Sequence, residues 1–185
     1  MIPDDIKRQL KLPGLGQLGY IVTDINKTIA YYRDTFGIGP WMLLDERPNP
    51  CIEKGKGVAP LFKIALAYTG SVQVELIQIV KGESFHLDHV KESKGGVHHL
   101  GFMVQDLDKR LDACDRAGIG ILQKGTIRDM GFIVDYAYLD TADQAGIIIE
   151  FIQWRLGPIP LPINRLTFNV VCWAGSKTLL KGQIL

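Results

Sequence analysis

"HHLGFMVQDLDKR", His98 to Arg110, repeats an earlier stretch, "GQLGYIVTDINKT", Gly16 to Thr28. The two agree at Leu18/Leu100, Gly19/Gly101, Val22/Val104, Asp24/Asp106 and Lys27/Lys109. Gln17 stands where the second copy has His99. Both copies run on to Gly-Ile-Gly, at Gly37 to Gly39 and Gly118 to Gly120. A second echo closes each copy. "SVQVELIQ", Ser71 to Gln78, answers "GIIIEFIQ", Gly146 to Gln153, which makes Glu75 and Glu150 equivalent. Two echoes in the same order mark a duplicated supersecondary unit, about 16–80 and 97–154.

Periodicity gives the elements of the unit. Leu18, Tyr20 and Val22 alternate with Gln17, Gly19 and Ile21, as in a strand. Asp24 stands where a helix N-cap belongs. Ile25, Ile29, Tyr32 and Phe36 are spaced for one helix face, and Gly37 stops that helix. Extended segments follow at roughly 40–46, 61–69 and 72–80, with a turn at Tyr68 to Ser71. The second copy predicts a strand at 97–104, a helix at 107–117 after Asp106, then strands at 119–124, 133–140 and 147–154. The fold class expected is α+β: two tandem βαβββ modules forming an open curved mixed sheet around a cleft. Both modules belong to one domain, 1–154.

Between the modules a linker helix is expected at about 84–94, capped by Ser84 and ended by Gly95-Gly96. After Trp154 the composition changes. Pro158, Pro160 and Pro162 break regular structure, and residues 155–185 form a tail without a counterpart in the repeat. Leu166 to Trp173 reads as a strand.

Composition excludes several functions. Apolar residues make up 46% and charged residues 22%, with a net charge of +1. The basic residues form no stripe interleaved with aromatics, so no nucleic-acid partner is expected. No apolar run approaches the roughly 20 residues of a membrane span, and the N-terminal segment lacks the apolar core of a signal peptide. Cys51, Cys114 and Cys172 are few and far apart, which suits free thiols and a cytoplasmic location.

Side chains alternate across a strand, so His99, Gly101 and Met103 share one face and His98 points to the other, with Leu100, Phe102 and Val104. Glu75 and Glu150 sit in the middle of very apolar strands, where an unpaired carboxylate costs several kcal/mol. Singly, each is an ordinary salt-bridged or edge residue. As equivalents in a repeat, they ask for a common partner. If the copies curl around one cleft, Gln17, Glu75, His99 and Glu150 converge as three oxygen ligands and one imidazole. That set suits a divalent ion (Zn, Ni, Co, Mn or Mg) with positions open to substrate. Gln73 shares the face of Glu75 and is the next candidate ligand. His86 and His89, spaced His-x-x-His on a charged helix, are read as solvent-facing. The glycines at Gly14 and Gly16 precede a strand and do not form a dinucleotide loop.

At these residues the sequence resembles the vicinal-oxygen-chelate superfamily of glyoxalase I, methylmalonyl-CoA epimerase, extradiol dioxygenases and bleomycin-resistance proteins. The resemblance covers about 15–154 and is carried by "YYRDTFGIGPW", "VELIQ", "HHLGFMVQD" and "IIIEFIQ". It implies two βαβββ modules around a metal, with ligands at Gln17, Glu75, His99 and Glu150. Gln17 and Glu75 depart from the two-His, one-carboxylate iron site of the dioxygenases. The Gln, Glu, His, Glu set is similar to that of animal glyoxalase I. "GIGPW" and the helix before "HHLGF" resemble the epimerases, although these carry His at the first ligand position.

By that resemblance the expected activity is that of a metal-dependent lyase or isomerase. A base removes a proton next to a carbonyl, and the metal stabilises the resulting enediolate or enolate. Glu150 is the first choice of base and Glu75 the second. The substrate expected is a small molecule of the thiohemiacetal or acyl-CoA class, and a homodimer is expected. The alternative is a metal-free binding protein of the bleomycin-resistance type. Trp41, Met130 and Phe132 are candidates to line the pocket or the core.

Overall fold

The structure, a computed structural model, describes residues 2–129, 132–170 and 183–184. The elements run α1 (Asp4–Leu10), β1 (Gln17–Ile21), α2 (Ile25–Phe36), β2 (Met42–Pro48), β3 (Cys51–Glu53), β4 (Lys56–Val58), β5 (Leu61–Thr69) and β6 (Val72–Lys81). There follow α3 (His86–Ser93), β7 (Gly96–Met103), α4 (Leu107–Arg116), β8 (Ile121–Asp129), β9 (Phe132–Leu139), α5 (Ala142–Ala145), β10 (Ile148–Leu156), β11 (Ile159–Pro160) and β12 (Gln183–Ile184). One mixed sheet holds the strands in the order β12-β2-β5-β6-β1-β7-β10-β9-β8-β3-β4, with β11 on β10. It is a strongly curled, open sheet of α+β class, as the repeat implies.

Each half places its first strand parallel to its last: β1 beside β6, and β7 beside β10. The halves meet where β1 and β7 pair antiparallel. Helices α2 and α4 cover the outer face. Ile25 and Ile29 of α2 pack with Trp41, Val74 and Leu76, and Leu107 and Cys114 of α4 pack with Phe102, Val104 and Phe151. Trp41 is thus core, stacked on Tyr32, and Met130 lies outside the described residues, as does Cys172.

The helix ends explain both echoes. Asp24 accepts from the Lys27 N–H, and Gly37 closes α2 at φ 65°. The repeated Gln of the second echo serves the same ends. The Ile25 N–H donates to Gln78 Oε1 at 2.9 Å, and the Leu107 N–H donates to Gln153 Oε1 at 2.8 Å. Each satisfies an N–H that the helix itself leaves free. Asp106 makes no such side-chain cap.

Three features depart from the expectation. A hairpin, β3–β4, turns through Lys54 and Gly55 at positive φ and is inserted between the second and third strands of the first half. Its β3 pairs with β8 of the second half. Only Asn49 and Pro50 separate β3 from β2, which lies towards the other end of the sheet, so those edges approach within roughly 11 Å.

Second, the strand expected at Leu166 to Trp173 is helix where it is described, over residues 165–170. Asn164 Oδ1 accepts from the Leu166 and Thr167 N–H groups, and Thr167 Oγ1 accepts from the Asn164 N–H. This reciprocal cap outweighs the β-branched residues that suggested a strand. Phe168 packs on Tyr68 and the inner face of the first half. Residues 171–173 of that expectation lie outside the described residues. Pro160 is also accommodated, in the two-residue edge strand β11.

Third, Ser84 does not cap α3, which has no side-chain cap. Its hydroxyl is engaged by Glu53 and His86.

Candidate metal centre

The β1–β7 seam builds the site. Gln17 lies opposite Gly101, and Gly19 lies opposite His99. On the flanking strands Glu75 pairs with Gly19 and Glu150 with Gly101. The glycine common to both copies therefore leaves room beside the other copy's polar group. A Cβ on Gly101 would meet Gln17 Oε1 at 2.8 Å. The echo marks Gly19 and Gly101 as matched positions, and the strand register supplies the reason for glycine there.

Three of the four predicted side chains, Glu75, His99 and Glu150, come together from both halves, and Gln17 stands on β1 with its Oε1 beside Gly101. Glu75, His99 and Glu150 each offer a ligand atom within 4.8 Å of the others. His99 Nε2 stands 3.1 Å from Glu150 Oε2 and 3.2 Å from Glu75 Oε2, yet neither approach is aligned as a hydrogen bond. Gln17 Oε1, Glu75 Oε2, His99 Nε2 and Glu150 Oε2 are all buried without a hydrogen-bond partner. Orphaned buried groups are costly, and here the orphans are donor atoms suited to one divalent cation. The residues fit such an ion.

Neighbours orient this set. Gln17 Nε2 donates to Gln73 Oε1 at 2.9 Å, which turns Gln17 Oε1 inward. Gln73 thereby acts on Gln17, and its own oxygen is taken. His98 Nδ1 lies 3.1 Å from His99 Nδ1, which leaves His99 Nε2 for the cleft. His98 was expected on the opposite face. A β-bulge overturns that: the register passes from Gly19/His99 to Tyr20/Val97, so His98 is the extra residue and joins the inner side.

Burial alone would lower the His99 pKa, but Glu150 and Glu75 override it and raise it to about 9 in the metal-free chain. Burial drives Glu150 upward, against the pull of His99. Burial, with His99 and His89 beside it, takes His98 down to about 3, so it stays a neutral acceptor.

The cleft beside Glu75 and Glu150 holds a cavity of about 40 Å³, bordered by Asn49, His86, Gln123, Tyr136 and Tyr138. Phe132 does not border it. His86 is fully buried, contrary to its solvent-facing reading. Helix α3 folds in over the sheet and stacks the His86 ring on His98, with centroids 4.8 Å apart. His89 is half-buried and meets His98 edge-on. No helix among the described residues is long and apolar enough to cross a membrane.

Residues 16–138 match the sequence profile of the Glyoxalase/Bleomycin resistance protein/Dioxygenase superfamily. The chain belongs to that superfamily. No curated protein matches it at a significant level. Among solved structures of the glyoxalase superfamily fold, methylmalonyl-CoA epimerase from Mycobacterium tuberculosis is 22% identical, with a TM-score of 0.57 over 82% of this chain and 90% of that one. The Streptomyces coelicolor methylmalonyl-CoA epimerase in complex with 2-nitronate-propionyl-CoA is 19% identical, with a TM-score of 0.57 over 77% and 94%. A hypothetical protein from Bacillus halodurans is 20% identical, with a TM-score of 0.55 over 75% and 91%. At such identities the likeness is one of fold within the glyoxalase superfamily.

Proposed function

We propose that this protein is a metal-dependent lyase or isomerase that moves a proton at a carbon next to a carbonyl. One observation carries the reading: Glu75, His99 and Glu150, drawn from both copies of the repeat, hold buried ligand atoms within 4.8 Å of one another, and Gln17 Oε1 is buried without a hydrogen-bond partner opposite Gly101. A divalent ion held there would stabilise negative charge developing on a substrate oxygen. The two carboxylates balance its charge, and His99, fixed through His98, supplies the one nitrogen.

Glu150 is the base in this reading. Its burial raises its proton affinity, which brings a carboxylate closer to the task of taking a carbon-bound proton. Tyr138, its cross-strand neighbour, has its own pKa pushed well up by burial and by Glu150, and it keeps its hydroxyl proton. Glu75 is the second carboxylate on the cleft, available on the other copy's side. The substrate class is a thiohemiacetal or an acyl-CoA. The second receives support from the epimerase fold likeness and the first from the Gln, Glu, His, Glu set.

The test is elemental analysis of the purified and metal-reloaded chain. It is followed by assays with methylglyoxal plus glutathione and with methylmalonyl-CoA, each with and without chelator. Stoichiometric metal and chelator-sensitive turnover are expected. Absence of bound metal after reloading points to the sequestering alternative, and turnover that survives chelation refutes the mechanism.

A further inference from the structure

His86 belongs to no part of the metal-ligand set, yet its ring borders the same cavity as Glu75 and Glu150. It is fully buried, and its Nε2 has no hydrogen-bond partner in the protein. The other nitrogen is committed: Nδ1 lies 2.7 Å from Ser84 Oγ. Ser84 in turn donates to Glu53 Oε2 at 3.3 Å. Glu53 accepts further hydrogen bonds from the Phe85 N–H at 3.1 Å and from Gln123 Nε2 at 2.8 Å.

The tautomer of His86 turns on where Ser84 sends its one proton. A carboxylate only accepts, and a serine hydroxyl has one proton to give. With that proton directed to Glu53, Ser84 Oγ accepts from His86 Nδ1–H. Nε2 is then left with a bare lone pair. Burial and the neighbouring histidines push the His86 pKa well below its usual value, so the ring stays neutral. The aromatic contacts of Phe62, Phe85, His98 and Tyr138 hold its plane.

From this geometry we infer that His86 Nε2 is a substrate-binding acceptor, held ready by Glu53 and Ser84, for an O–H or N–H group on the reacting end of a small carbonyl substrate. The inference rests on the cavity being the substrate's site, as the proposed function has it. It adds a requirement to that reading: the substrate carries a hydrogen-bond donor close to the carbonyl. A cavity of about 40 Å³ admits only a small group.

Two measurements test this. The imidazole nitrogens of His86 are read by nitrogen NMR in the metal-free chain, where the outcome does not depend on metal binding. Protonated Nδ1 and bare Nε2 are expected. In Glu53→Gln, whose amide can donate to Ser84, the proton should move to Nε2. A wild-type His86 protonated at Nε2 overturns the inference, as does a tautomer indifferent to Glu53→Gln.

The second measurement is the binding of acetohydroxamate, a small chelator with its own donor, to the zinc-loaded protein. His86→Phe should keep its zinc and its melting behaviour while acetohydroxamate binds roughly fivefold or more weakly. His86→Gln, with an acceptor near the same place, should recover part of that loss. Equal affinity in wild type and His86→Phe assigns the ring to packing and overturns the proposal. Failure of the wild type to take up zinc would instead sink the proposed function, and the NMR result would still decide the state of His86.

Discussion

Gly19 faces His99 across the β1–β7 seam, and a Cβ on Gly19 would lie 1.9 Å from the imidazole ring. The ring cannot keep its place beside such a group. Gly19→Ala should therefore lose metal, measured by elemental analysis after reloading. Gly14→Ala, where a Cβ meets nothing within 4 Å, should lose none. Equal metal in both variants would separate the ring's position from metal binding.

Gln17→Ala tests the mismatch between the two copies. It removes one neutral oxygen and leaves Gln73 Oε1 without its donor. Metal affinity should fall by more than the roughly tenfold that losing an outer-shell partner brings, while thermal unfolding remains cooperative. Unchanged affinity would return Gln17 to the role of polar lining.

The metal-free and loaded proteins should differ in their response to pH. His99 holds its proton up to about 9 when metal-free, above an unfolded value near 6.5. Its contribution to stability is complete below about 6.5 and is lost as pH rises through about 9. The melting temperature of the metal-free chain should drop across that window. Loading at about pH 7 should release a proton as the imidazole becomes a ligand. Calorimetry in two buffers of different ionisation heat measures that proton, and its absence would contradict the raised value.

Glu150→Gln retains a ligand oxygen of nearly the same shape and removes the base. Exchange of the substrate's carbon-bound proton with heavy water should slow by about a hundredfold or more. A loss of less than about tenfold would transfer the role to Glu75.

Phe168→Ala tests the tail. The ring is buried on Tyr68, in the core cluster that also holds Leu66 and Ile77, and its loss should cost about 3 kcal/mol, read by denaturant unfolding. No loss of stability would make residues 165–170 an appendage.

The repeat was legible because its two sequence periods, strand and helix, occur twice with an Asp at the same place between them, although only Asp24 makes the cap. Glu75 and Glu150 could be singled out because a carboxylate in a run of Val and Ile has few explanations. What sequence did not reveal follows from contacts made far along the chain. The bulge at His98 adds one residue to a strand whose alternation looks regular. The burial of His86 depends on α3 folding over the sheet, and a charged helix carries no mark of that. The clasp of β3 on β8 joins residues some seventy positions apart (Cys51 with Gly125), and the tail helix is stabilised by a cap, Asn164 with Thr167, outweighing its strand-like composition.

The two-residue span at Asn49 and Pro50 limits how such a chain can assemble. Two copies that traded halves would have to open the β1–β7 seam and also pull each β3–β4 hairpin off the β8 it grips. Either rupture alone leaves the halves entangled through the other. Trading halves between two copies would therefore break and rebuild two interfaces, the seam and the clasp, where the repeat alone would ask for one.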